Sequence, residues 1–175
     1  MNSRPAALSA VLFAILLTAA APPAGVGPEE FSRIFYSELR RHRVTGLPEG
    51  EAWTELVPFF TTPLAAALER ARKEQVEFQR QHPDEKPPWI EGDLFSSLFE
   101  GPKGFAIGAA LMKGDTAEVP VFCEYTEGGR TTKWLDFLLL KKTAQGWRLD
   151  DIRYGGEWDF ANTGTLQEAL EPLPE

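Results

Sequence analysis

The stretch TAEVPVFCEYTEGGRTTKWLDFLLLKKTAQGWRLDDIRY, residues 116–154, decides the fold of this chain. Apolar side chains occupy every second position from Ala117 to Tyr125, which is the period of a strand that buries one face. Gly128-Gly129 and Gln145-Gly146 divide the stretch into three segments, and glycine supplies the positive φ that tight hairpin turns require. The stretch is therefore predicted to form a three-stranded antiparallel meander.

A meander of this size needs a covering layer, and the residues before it are predicted to supply one. Apolar residues recur at helical spacing from Phe31 to Leu39, and a second short helix is expected over 51–60. The pair Thr62-Pro63 has the form of a capping hydroxyl followed by a first-turn proline, and it predicts a longer helix to about Gln81. These segments favour an α+β fold in which N-terminal helices pack on the sheet.

Further strands and a terminal helix complete the predicted fold. We expect an edge strand through 96–99 and another strand over 105–112, which gives a sheet of about four to six strands. Gly108 within the second of these strands predicts a bulge, a bend or a close backbone approach. Asp150-Asp151 breaks the alternation of the last strand and predicts a bulge there. The sequence Thr165-Leu166-Gln167-Glu168 is a capping box that opens a short helix.

Composition indicates one globular domain and excludes one class of partner. The chain has 175 residues, of which 43% are hydrophobic and 25% charged, and its net charge is −8. This length leaves no room for a second domain with its own core. The net charge of −8 argues against a protein that tracks a nucleic-acid backbone, because such proteins contact phosphates through an excess of Lys or Arg, so no nucleic-acid partner is expected.

Residues 1–20 have the pattern of a secretory signal peptide. Arg4 precedes an apolar run from Ala6 to Ala21, which is short for a membrane span of about 20 apolar residues. The alternative is an uncleaved anchor. The run contains no Cys for lipid attachment, and the lone Cys123 cannot form an internal disulfide. We expect cleavage after Ala20, a flexible tether over 21–28, a single domain over 29–175, and a periplasmic or secreted protein without membrane insertion after cleavage.

Glu38 and His42 are candidate site residues because they lie four residues apart near the centre of the apolar stripe of the first helix. In one interpretation the last helical turns have passed the edge of the core and the pair is solvated. In the other the pair points into a cavity, where it could take part in acid–base chemistry or ligand contacts. Gln75 raises the same question on the third helix: it is either a hydrogen-bonded structural residue or part of a pocket lining.

Asp136 shares a strand face with Trp134, Leu138 and Leu140. On a concave face this carboxylate would be surrounded by apolar residues and suited to proton transfer or ligand orientation. On a convex face it would be a charge that protects an edge. Because the strand is apolar on both faces, one face is expected to lie under the helices and the other under another element or a second subunit, which makes a homodimer an expected alternative.

The order of these segments resembles the cone-shaped nuclear transport factor 2-like superfamily. More narrowly, five parts of the chain resemble exported bacterial proteins of domain-of-unknown-function family 3828: Phe35-Tyr36, residues 64–72, Gly92-Asp93-Leu94-Phe95, residues 134–142 and residues 147–154. The resemblance covers about residues 31–173. It implies a cone with a pocket between the helices and the concave sheet, and it implies no activity, since the superfamily holds enzymes, binding modules and dimerisation domains.

Motifs for catalysis are absent from the sequence. Two histidines and one Cys are too few to argue for a zinc site, no paired-Cys metal spacing is present, and there is no nucleophile elbow or phosphate-binding loop. We therefore expect no catalytic residues, metal or cofactor, and a non-catalytic module that binds a small ligand or a periplasmic protein. The expected ligand-binding residues are Tyr36, Glu38, His42, Gln75, Asp93 and Asp136.

A cone-fold isomerase or lyase is the alternative function. It would use Asp136 or Glu38 as the general base and Tyr36 or Trp134 as a hydrogen-bond donor. This alternative requires at least two of five polar side chains to converge on one concavity within hydrogen-bond reach of a bound substrate; the five are Glu38, His42, Gln75, Asp93 and Asp136.

Overall fold

A computed structural model describes residues 22–23 and 25–172. The predicted signal peptide, residues 1–20, lies outside the described residues, as do positions 21 and 24 of the predicted tether. In chain order the elements are α1 (Pro28–His42), α2 (Gly50–Leu56) with a 3₁₀ turn (Val57–Phe59), α3 (Thr62–Gln81), β1 (Gly104–Ile107), β2 (Leu111–Lys113), β3 (Thr116–Glu127), β4 (Arg130–Thr143), β5 (Gly146–Arg153) and α4 (Leu166–Ala169).

The predicted meander is confirmed, and it forms the body of a bent antiparallel sheet. The five strands are ordered β1-β3-β4-β5, with β2 also paired to β3, and the sheet is not closed. Gly128 and Gly129, with φ of 56° and 79°, make the two-residue turn between β3 and β4. Both angles are those of the mirror-image turns whose twist matches paired strands. The predicted α+β class and strand number are therefore confirmed.

Two predicted strands require correction. The segment 105–112 is not one strand but two, β1 and β2, separated at Gly108, where a Cβ atom would lie 2.7 Å from Cγ of Pro120. The close approach that a strand glycine predicts is thus present, and it divides the strand. Residues 96–99 form a loop rather than an edge strand, because Ser96 and Ser97 hydrogen-bond to Asp136 instead of to a neighbouring strand.

Local signals at the other element ends are mostly confirmed. Between β4 and β5 the register shifts by one residue, so that Leu139 pairs with Asp151, Leu140 pairs with Leu149, and Asp150 is the bulged residue. Thr165 and Glu168 form the predicted capping box. The cap of α3 is displaced by one position: the Oγ1 of Thr61, not of Thr62, accepts a hydrogen bond from the amide of Leu64.

The core lies between α1, α3 and the inner face of the sheet. Buried aromatic rings fill it, and contacting rings have centroids 5.7–6.1 Å apart; they belong to Phe31, Phe35, Phe59, Phe60 and Phe95. Ring pairs at such distances add favourable edge and face contacts to the apolar area they bury. The space between α1, α3 and the inner face of the sheet is therefore packed with aromatic side chains.

The outer face of the sheet carries an apolar strip that is only partly covered. Phe122 pairs with Leu135, Pro120 pairs with Phe137, and the Phe122 side chain is 54% exposed. The guanidinium of Arg153 lies 3.8 Å from the ring centroid of Phe137.

Within the described residues, no helix is long and apolar enough to cross a membrane.

Candidate functional site

The turn that follows α1 is the centre of the candidate site. α1 ends at His42, and the capping residue Arg43 lies in the left-handed region, at φ 50°, where its amide donates a hydrogen bond to the carbonyl of Arg40. A non-glycine residue in this region is strained, and such strain persists only where surrounding contacts impose it. The following residues, Val44 and Thr45, separate two surface cavities.

The first cavity, here the His42 cavity, has a volume of about 230 Å³. Its lining includes His42, Arg43, Gln75, Trp89 and Ile90. The imidazole of His42 is 9% exposed. Trp89 has a φ of 52°, which is positive like the φ of Arg43. Two of the three non-glycine residues with positive φ in the described chain therefore line the same cavity.

Main-chain hydrogen bonds fix the walls of the His42 cavity. The amide of Gly46 donates to the carbonyl of Gly92 at 2.6 Å, and the amide of Leu47 donates to the carbonyl of Trp89 at 3.2 Å. From α3, the Gln75 amide group donates to the carbonyl of Pro88 at 2.6 Å. The loop 88–92 is thus held against the turn after α1, and the cavity is formed before any ligand enters.

The second cavity, here the Tyr36 cavity, has a volume of about 270 Å³ and is lined in part by Tyr36, Arg40, Arg43, Asp93 and Glu100. Tyr36 donates its hydroxyl to the carbonyl of Phe95 at 3.2 Å, and burial raises the pKa of Tyr36 well above its usual range. Its phenol therefore stays protonated.

Asp93 is a carboxyl group of the Tyr36 cavity whose pKa is shifted. One carboxyl oxygen accepts a hydrogen bond from the Phe95 amide at 2.7 Å. Burial raises the pKa of Asp93 to about 7; the Phe95 hydrogen bond opposes this shift and the nearby charge of Asp136 adds to it. Desolvation of a carboxylate has this direction because it disfavours the charged form. Asp93 is thus poised to change charge near neutral pH.

Glu38 and His42 on α1 lie close to a third polar side chain, that of Glu55 on α2. The His42 Nε2 lies 3.1 Å from Glu55 Oε2 and 3.9 Å from Glu38 Oε2. Arg41 donates hydrogen bonds to both carboxylates, and its bond to Glu55 lowers the pKa of that carboxyl. Of the two interpretations of the Glu38–His42 pair, neither full solvation nor a deep cavity describes it: the two side chains are 26% and 9% exposed within a charged cluster.

Asp136 faces the core and has no free acceptor capacity. Its side chain is fully buried and accepts five hydrogen bonds, from Ser96 Oγ, the Ser97 amide and Oγ, Trp134 Nε1 and the Gly155 amide. A buried charge is stable only when paired or hydrogen-bonded in this way. It lines neither of the two cavities. Its evident role is to join the loop 96–97 and the end of β5 to the centre of β4.

The six expected site residues therefore separate into four places. Tyr36 and Asp93 line one cavity, His42 and Gln75 line the other, Glu38 belongs to the charged cluster beside His42, and Asp136 lies in the core. Sequence reasoning missed Arg43, Trp89 and Glu55. Helical spacing could not identify these residues. Arg43 follows the helix and Trp89 belongs to a loop, so neither has a helical period. Glu55 contacts His42 only through the packing of α2 on α1.

For the alternative of an isomerase or lyase, His42 and Gln75 do line one cavity, but the side chains expected to act as general base and hydrogen-bond donor are engaged elsewhere. Asp136 has its oxygens occupied by internal donors, and Glu38 is bound by Arg41. The proposed hydrogen-bond donors are also engaged, since Trp134 Nε1 donates to Asp136 at 2.8 Å and Tyr36 donates to Phe95. A general base must be within hydrogen-bond reach of a substrate proton. Neither carboxylate meets this condition without losing its present partners.

Burial also removes Cys123 from reactive chemistry. The residue is 2% exposed on the inner face of β3, and burial, with the charges of Asp136 and Asp93 adding to it, raises the pKa of its thiol. A thiol held protonated is a poor nucleophile and a poor metal ligand. Cys123 is thus a small core residue.

Comparison with known proteins yields one distant relative of unknown role. No family model matches the sequence, and no solved structure matches it. The uncharacterized lipoprotein YbjP of Escherichia coli strain K12 is 26% identical over 147 residues, which cover 83% of this chain and 76% of that protein. This similarity fits an exported bacterial protein whose role is unknown.

Proposed function

We propose that this protein is a non-catalytic binding module of the bacterial cell envelope, which takes a small polar ligand at the two cavities beside Arg43. The observation that carries the proposal is the preformed turn between them. Arg43 lines both cavities, and main-chain hydrogen bonds between Gly46 and Gly92 and between Leu47 and Trp89 hold its surroundings in place. Preorganisation of this kind lowers the cost of ordering a site on binding.

The size of the cavities limits the ligand. Their volumes of about 230 and 270 Å³ lie below the roughly 300–1,000 Å³ that is usual for sites of drug-sized molecules. The proposed occupant is therefore a small metabolite, and one that bridges the turn could place a group in each cavity.

The charges of the cavities favour an anionic group on that ligand. Neither Arg40 nor Arg43 has a carboxylate within ion-pair distance in the part of the chain that the structure describes, although Arg40 lies 5.9 Å from the Phe105 ring centroid. Guanidinium groups bind carboxylate or phosphate through paired hydrogen bonds. A ligand with one carboxylate or phosphate group would complement the guanidinium groups, and hydroxyl or amine donors on the same ligand would bind the carboxyl group of Asp93.

Family membership and location are part of the same proposal. Helices followed by a bent antiparallel sheet support membership of the nuclear transport factor 2-like superfamily, and the motifs at residues 35–36, 92–95 and 147–154 support the narrower family 3828. The signal-peptide pattern and the similarity to YbjP support a periplasmic location. Lipid attachment, which the name of that relative states, is not proposed for this chain, because its only cysteine is the buried Cys123.

Native mass spectrometry of the protein purified from a periplasmic extract tests the proposal. We expect a stoichiometric extra mass in the wild type that is lost in Arg43→Asn, a substitution that tolerates positive φ and removes the guanidinium. Arg130→Asn, at an exposed position on β4, is the matched control and should retain the mass.

Two results would contradict the small-ligand proposal. One is an extra mass that survives Arg43→Asn. The other is that the wild-type protein carries no extra mass and cross-links in the periplasm to one protein. That result would assign the surface to a protein partner instead.

A further inference from the structure

We propose that Glu38, His42 and Glu55 form a binding site for a divalent transition-metal cation, for which Zn²⁺ is the most suitable probe. One ligand atom from each residue lies within 4.8 Å of the other two. Imidazole and carboxylate are ligands that Zn²⁺ accepts at about 2.0–2.2 Å. The metal site shares His42 with the lining of the His42 cavity, but it does not rest on the ligand proposal, which depends on Arg43.

The distances fit such a site with small side-chain movements. Ligand atoms at these bond lengths around a tetrahedral ion lie about 3.4 Å apart. His42 Nε2 lies 3.1 Å from Glu55 Oε2 and 3.9 Å from Glu38 Oε2, on either side of that value. Two ligands come from successive turns of α1, four residues apart, and the third from α2, so the backbones of two packed helices fix the spacing.

The three side chains are partly buried, which suits them to bind a metal ion. The His42 side chain is 9% exposed, while Glu38 and Glu55 are 26% and 19% exposed, so the cluster is partly desolvated but open on one side. Three protein ligands leave a fourth position for water, as in open zinc sites. Two carboxylates and a neutral imidazole balance the charge of a divalent ion.

The place of the cation is taken by the Arg41 guanidinium. Its Nη2 donates to Glu38 Oε2 and to Glu55 Oε2, the two atoms that would bind the metal. The Arg41 side chain is 50% exposed, so it can turn into solvent when the metal enters. Arg41 and the metal must therefore compete, and this competition separates a metal site from a purely structural ion-pair network.

Titration of the purified protein with Zn²⁺ in chelator-treated buffer tests the proposal. We expect saturable binding of one ion per chain, reversed by EDTA. Loss of a direct ligand in His42→Ala, Glu55→Gln or Glu38→Gln should weaken binding at least by the roughly 10–100-fold that loss of an outer-shell partner costs. Arg41→Met, which keeps the apolar stem and removes the competing charge, should bind Zn²⁺ more tightly than the wild type.

His82→Ala is the matched control. His82 lies 3.2 Å from Glu85 in an exposed pair that no third ligand joins among the described residues, so its loss should leave the stoichiometry and affinity unchanged. Co²⁺ in place of Zn²⁺ should give visible absorption bands that disappear in Glu38→Gln, whose position is exposed enough to preserve the fold. Absence of one-ion saturation, loss of binding in His82→Ala, or unchanged binding in both Glu38→Gln and Arg41→Met would overturn the proposal.

Discussion

Asp136 and Asp93 carry the same carboxyl group in two different environments. Asp136 accepts five hydrogen bonds inside the core, whereas Asp93 accepts one and faces a cavity. The same isosteric change to Asn should therefore have opposite consequences at the two positions.

Asp136→Asn should destabilise the protein by roughly 2–4 kcal/mol. The new amide group must direct its N–H groups at neighbours that are themselves donors, such as Trp134 Nε1 or the Gly155 amide. Urea denaturation at pH 7 measures the change in the free energy of unfolding. A loss below about 0.5 kcal/mol, the range of ordinary surface substitutions, would show that the hydrogen bonds do not join the loop to the sheet.

Asp93→Asn should stabilise the protein at pH 7.5 by up to roughly 4 kcal/mol, because each pKa unit of difference between the folded and unfolded states corresponds to about 1.4 kcal/mol. The pKa of Asp93 is raised to about 7 in the folded state, against about 3.9 in an unfolded chain. The folded state therefore holds this proton more tightly, and the wild type loses stability as pH rises from about 4 to about 7. Asn keeps the acceptor for the Phe95 amide and carries no charge.

The pH dependence of the difference between the two proteins isolates this residue from all other titrating groups. Urea denaturation of wild type and Asp93→Asn at several pH values should show an advantage of the variant that is absent near pH 4 and grows toward pH 7.5. A constant difference over this range would contradict the raised pKa.

At the scale of elements, Gly46 connects the turn after α1 to the loop that completes the His42 cavity. Its φ is 63°, and a Cβ atom there would lie 2.3 Å from the carbonyl oxygen of Trp89. Gly46→Ala should cost roughly 2–4 kcal/mol, since both the strained φ and a backbone clash oppose it.

Gly114 provides the comparison for this substitution. Its φ is 60° and no atom lies within 4 Å of a Cβ built there, so Gly114→Ala should cost only about 1 kcal/mol. Thermal unfolding of both variants measures the difference. Equal losses would mean that φ alone matters and that the turn and the loop are not tightly joined.

Elements were predictable where the determining signal is local. Alternation from Ala117 to Tyr125 indicated β3, and the irregular Asp150-Asp151 indicated the bulge that Asp150 occupies. The predicted strand at 96–99 was wrong because its serines bond to Asp136, about 40 residues later in the chain. A hydrogen bond between distant residues leaves no periodic signal in the sequence.

The candidate site was predictable to the same limited extent. Helical spacing placed Glu38 and His42 on one face of α1, and the apolar stripe of α3 identified Gln75 as an unusual member. Which cavity each residue lines depends on how loop 88–92 folds onto the turn after α1, and Glu55 joins His42 through the packing of α2 on α1. These are tertiary contacts, which helical periodicity does not encode.

At the scale of the whole molecule, the outer face of the sheet carries an apolar strip on adjacent strands that requires an explanation. Phe122, Leu135, Phe137 and Leu139 lie side by side on β3 and β4, and the charges at the ends of this strip are already paired, Glu118 with Arg153 and Glu124 with Lys133. Paired charges cost less to bury than single ones. We therefore propose that this face associates with a second copy of the chain.

Light scattering of the purified protein tests this association, with Phe122→Glu as the disrupting variant. A charge at the centre of the strip would be buried without a partner in a dimer, so the variant should be monomeric while the wild type has twice the mass. Val76→Glu is the control, because Val76 is also exposed, at 68%, but lies on α3 away from the sheet. A strictly monomeric wild type would leave the strip as ordinary surface, and equal dissociation by both variants would place the interface elsewhere.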